Sequence, residues 1–271
     1  MNKGDVESII PEAKEQFVLF FPEAEKLIAN TEICVILNGN RQKKRREIFE
    51  RYGVKLREDE PAEGETIVGK QSAAVILYGS VIKNERRCKH VLWHEFGHVL
   101  SYTLSRDLFE EAEADMAMDR DTLIKSGMAV WSEFIAEYIA LLVEDEPASG
   151  VAWEKAFQME QHMDAAVNSG LLQVYPLAFF FAMLLGDATI CSWREANGYA
   201  VPGLNHCDED IFPALKEITE LLAEQVEQEE FAQISHDTLS HLGECVNALW
   251  DFCYMANTSR ELQAFRDRLF D

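Results

Sequence analysis

Five consecutive residues have the types and spacing to run a hydrolysis: His94-Glu95-Phe96-Gly97-His98. On a helix, side chains four apart lie on one face, so both imidazoles can reach a single metal ion. Glu95 then sits about 100° further round, where its carboxylate can lean over a water on that metal. Two neutral imidazoles completed by one carboxylate suit zinc and leave a fourth position for water, so one Zn2+ ion is the expected cofactor. The chemistry such a set supports is metal-assisted cleavage of a peptide bond, with Glu95 as the general base.

That geometry requires a helix, and the flanking residues supply one. Asn84 is a fair N-cap, Leu92, Phe96, Val99 and Leu100 form an apolar stripe, and no proline intervenes before Tyr102. The third ligand must come from another element. Trp131 to Leu142 reads as a second helix in which Glu133 and Glu137 share one face amid apolar residues. Carboxylates in such a setting are costly unless a cation or hydrogen-bond donor meets them. Glu133 is therefore the expected ligand, and Glu137, one turn later, the acceptor of a histidine ring N–H that fixes tautomer and orientation. The reverse assignment of the two is also compatible with the spacing.

The order Ile76-Leu77-Tyr78, Arg86-Arg87, His94-Glu95-Phe96-Gly97-His98 and then Glu133-x-x-Ala136-x-x-x-Ala140-x-Leu142 resembles the ImmA/IrrE-type zinc metallopeptidases, HExxH zincins whose third ligand is glutamate. The resemblance covers about residues 74–143 and implies a zincin-like fold. It assigns zinc binding to His94, His98 and Glu133 and the role of base to Glu95. It also implies that the strand around Ile76 to Tyr78 could pair with an extended peptide. The family usually has Asn where this chain has Glu137, and Glu111-x-x-Ala114-Asp115 is a second match to the glutamate motif, so Glu111 is the competing third ligand.

Other chemistry-bearing residues have simpler readings. His90 lies one turn before His94, but about 12 Å separates His90 from His98 along the axis, too far for one ion to bind all three, so His90 lines the cleft or caps a neighbour. Gly97 allows another backbone to approach closely. The string His206 to Asp210 reads as a solvated loop, and the basic run Arg41 to Arg46 as a solvated helix face. Tyr138, His162 and Tyr175 are candidate donors to a tetrahedral oxyanion.

The rest of the chain fits an α+β, predominantly helical protein. Val6 to Ile28 reads as one or two amphipathic helices starting near Ser8 and Pro11 and broken at Pro22. Ile33–Leu37 and Ala74–Tyr78 read as strands, and a charged loop runs through Glu65. Later apolar patterns, such as Leu242, Val246, Leu249 and Cys253, are helical, with Ser235 and Thr258 as N-caps. The expected division is a zincin-like catalytic domain over residues 1–147 with a small N-terminal sheet, then a helical domain over 148–271.

The 271 residues carry 48 acidic and 25 basic side chains, and the whole net charge of −23 arises after position 100. Such a charge disfavours nucleic acid and anionic membranes, and the acidic second half favours a basic peptide or protein substrate. The apolar stretch Leu171 to Leu185 is too short for a membrane span. No secretory signal opens the sequence and the six cysteines are scattered, so a cytoplasmic protein with reduced thiols is expected. The alternative to an enzyme is a catalytically silent zinc-site regulatory or binding protein acting through its helical half.

Overall fold

The computed structural model describes residues 3–36, 40–56, 63–69, 72–78, 84–110, 122–144, 212–248 and 251. Helix α1 (Lys3–Phe20) buries Val6, Ile9, Ala13 and Phe17, the one face that a 3.6-residue period lines up. It begins earlier than Ser8 and carries Pro11 within it. A 3-10 turn at Pro22–Ala24 separates it from α2 (Glu25–Asn30), where proline forbids continuation of the helix. Strand β1 (Glu32–Ile36) follows, then α3 (Arg41–Tyr52), closed by Gly53 in the left-handed region at φ 67°. After β2 (Gly64–Val68) and β3 (Ala73–Tyr78) comes α4 (Glu85–Leu104), whose first turn is capped by Asn84 Oδ1, 2.8 Å from the Arg87 N–H.

The sheet order is β1-β3-β2, with β1 parallel and β2 antiparallel to β3. Two expectations are corrected. The segment around Glu65 is a strand rather than a loop. And the Ile76–Tyr78 strand is the centre of the sheet, bonded on both sides and wholly buried, so it has no edge to offer a peptide; among the described residues β2 is the edge strand beside α4.

Strand alternation assigns the two faces. Gly64 and Thr66, paired with Leu77 and Val75, face α4; Glu65, paired with Ile76, faces α3. On the α3 side, Ile36, Ile48, Phe49, Ile67, Ala74, Ile76 and Tyr78 form one core. Into it projects Arg45, whose guanidinium donates to both Glu65 oxygens at 2.6 and 2.7 Å, while the Tyr78 hydroxyl adds a bond of 2.9 Å. The basic run is therefore not a uniformly solvated face, because Arg45 is 5% exposed. A charge at that depth must be paired, so removing one partner strands the other. Glu65→Ala should cost about 3–5 kcal/mol, read from urea unfolding, whereas Arg45→Met with Glu65→Leu should recover most of that loss.

The chain divides into two compact units, Met1–Leu104 with Ile135–Glu146, and Ser105–Phe134 with Pro147–Asp271. A cut near 147 is one crossing, but residues 105–134 group with the second unit. The reason is helix α5 (Thr122–Val143), whose two halves pack on different neighbours. In its first half a Cβ on Gly127 would fall on the Leu239 carbonyl; in its second half a Cβ on Gly97 would come within 2.9 Å of the Ala136 Cα. By length and composition Ile124–Val143 could cross a membrane, but most of that stretch is buried inside the protein. The second unit also contains α6 (Phe212–Val226) and α7, residues 236–248, capped by Ser235 Oγ at 3.1 Å from the Thr238 N–H.

Candidate metal centre

Helix α4 carries His94, Glu95 and His98, and α5 carries Glu133 and Glu137. The facing Nε2 atoms of His94 and His98 are 3.1 Å apart, and their ligand atoms lie with a Glu133 oxygen within 4.8 Å of one another. All three residues are partly exposed, so an ion has access.

Behind His94, its Nδ1 donates to Glu137 Oε2 at 3.1 Å, and Glu137 is 1% exposed. An imidazole that donates from Nδ1 presents a lone pair at Nε2, the form that a metal needs. The donor set of two imidazoles and one carboxylate therefore fits zinc. Glu111 lies outside the described residues, as do His162, Tyr175 and the string from His206 to Asp210; Tyr138 is buried in α5, and burial raises its pKa.

Glu95 is 6% exposed and turns toward β2. The Thr66 hydroxyl lies 2.7 Å from its Oε2 and 3.0 Å from its backbone oxygen. Gly64 makes room for the same carboxylate, because a Cβ there would meet Glu95 Oε1 at 2.5 Å and Val91 at 2.8 Å. Thr66 and Gly64 are site residues that sequence reasoning missed, since β2 itself was not legible.

His90 does more than line a cleft. Its Nε2 lies 3.3 Å from Glu137 Oε2 and its Nδ1 3.2 Å from Glu144 Oε2, while Arg86 Nε donates to Glu144 Oε1 at 2.6 Å. With a carboxylate at each ring nitrogen, only the imidazolium can donate to both. Burial opposes that charge, but the Glu137 carboxylate and the bonds to Glu137 and Glu144 outweigh it and raise the pKa of His90. Burial likewise opposes ionisation of Glu144, and there its bonds to His90 and Arg86 prevail and lower its pKa.

Stability from a raised histidine is complete below its ordinary 6.5 and is lost as pH rises through the folded value. Stability from a lowered carboxyl is complete above its ordinary 4.5 and is lost as pH falls through the folded value. Their joint contribution is therefore greatest between these limits. His90→Gln should flatten the decline of stability on the alkaline side, read as the slope of urea midpoints between about pH 5 and about pH 9.

No family model, curated protein or solved structure matches the chain.

Proposed function

We propose that the chain is a zinc-dependent metallopeptidase that hydrolyses peptide bonds, with His94, His98 and Glu133 as the ligands and Glu95 as the general base. The observation that carries this reading is the convergence of those three ligand atoms within 4.8 Å, with Glu137 bonded behind His94. Zinc, when bound, lowers the pKa of water toward neutrality and polarises the scissile carbonyl. Glu137 orients His94. Glu95, steadied by Thr66, takes the proton from water and passes it to the leaving amine. The intact base favours hydrolysis over a structural metal, because a structural site needs no base and closes its fourth position.

An extended peptide laid along the outer edge of β2 would run beside Gly64 and Thr66, the residues that touch Glu95. The acidic balance of the chain favours a Lys/Arg-rich substrate, and cleavage should weaken as salt is added.

The test is zinc per chain together with hydrolysis of a Lys/Arg-rich peptide library, on wild type, Glu133→Ala and Glu111→Ala. Loss of one zinc equivalent and of hydrolysis in Glu133→Ala alone is expected. Loss in Glu111→Ala instead would move the third ligand. Retained zinc with no hydrolysis of any peptide would favour the silent binding protein.

A further inference from the structure

We propose that Glu217, His241 and Cys245 form a second metal site in the second unit, for a thiophilic divalent ion of the zinc and cobalt class, which clips α6 to α7. His241 and Cys245 are four apart on α7 and so share a face, and Glu217 reaches that face from α6. One ligand atom from each lies within 4.8 Å of the others. His241 Nε2 and Glu217 Oε1 are 2.7 Å apart, and the Cys245 sulfur lies within 4.8 Å of a ligand atom from each of them.

The surroundings grade from closed to open. Cys245 is 3% exposed and has the fully buried Ile218, Leu222, Leu242 and Val246 in its two helices, while the side chains of Glu217 and His241 are about half exposed. An ion can therefore enter from the solvent side and meet the sulfur at the core margin. Zinc–ligand bonds of about 2.0–2.3 Å put tetrahedral donors about 3–4 Å apart, so the 2.7 Å His241–Glu217 pair would open by about 1 Å or less.

Donor chemistry selects the ion. A thiol with an imidazole favours zinc or cobalt over magnesium or calcium, which take oxygen ligands, and three protein donors leave one position for water. A cysteine nucleophile is the competing role, and it fails on the environment. Cys245 is 3% exposed, out of reach of an electrophile in solution, and the Glu217 carboxylate beside it opposes rather than favours a reactive thiolate. A coordinated thiol is deprotonated outright, so each ion bound displaces one proton from Cys245 to solvent.

This site does not depend on the peptidase reading, because the first centre contains no sulfur. Cobalt(II) titrated into the reduced, metal-free full chain should bring up a near-ultraviolet thiolate-to-cobalt band, with about one proton released for each cobalt bound in this site. His98→Ala should keep that band, and Cys245→Ser should lose it. His241→Ala, at a half-exposed position that spares the core, should weaken cobalt binding at the band by about tenfold or more. The proposal is overturned by absence of the band in wild type, by its persistence in Cys245→Ser through one of the other five cysteines, or by undiminished affinity in His241→Ala.

Discussion

Glu95→Gln should lower kcat/KM for peptide cleavage by about 100- to 10,000-fold while leaving the zinc content unchanged. The substitution keeps shape and volume, so the packing around a 6% exposed side chain survives. The glutamine carbonyl can still accept from Thr66, 2.7 Å from the present oxygen. What disappears is the capacity to hold a proton between water and the leaving amine. Since Glu95 points to β2 and is not one of the converging ligands, metal affinity has no reason to move. Zinc analysis and peptide kinetics on one preparation separate the outcomes: lost zinc would make Glu95 a positioning group, and full activity would place the base elsewhere.

The second large effect concerns a residue with no polar group. Gly97→Ala should destabilise the protein by about 3 kcal/mol and weaken zinc binding by about 10- to 100-fold. Its Cβ would meet the Ala136 Cα at 2.9 Å and the Ala136 carbonyl at 3.2 Å. Both obstacles are backbone, so relief requires α4 and α5 to separate. The same interface sets the 3.1 Å bond between His94 and Glu137, which bond must lengthen as the helices part. Thermal unfolding with and without zinc checks both effects, and the variant should gain less from added metal than wild type does. A variant of wild-type stability would show that the helices have room to spare.

Much of the centre was legible because a helix repeats over short distances. His94 with His98, Glu133 with Glu137 and the Asn84 cap are all within four residues of their partners, and the 3.6-residue period orders them without further information. The illegible parts are long-range. Strand β2 is five residues drawn from a charged stretch, and it becomes a strand through pairing with β3. Arg45 looks solvated within a very polar helix until Glu65, 20 residues away, is seen to receive it. The row from His90 to His98 was visible, but the bond from His90 to Glu144 spans 54 residues. The His241 and Cys245 spacing was present in the sequence as well; Glu217, from a different helix, is what gives it meaning.

The interleaving of the chain also sets a timetable. Synthesis runs from the N-terminus, so His90, His94 and His98 emerge while the carboxylates that complete their surroundings are still unmade. Glu137 follows His94 by 43 residues and Glu144 follows His90 by 54. Until α5 and Glu144 have left the ribosome, the carboxylates that face His94 and His90 are missing. A polypeptide released before α5 is made is thus born without the carboxylates that face His90 and His94.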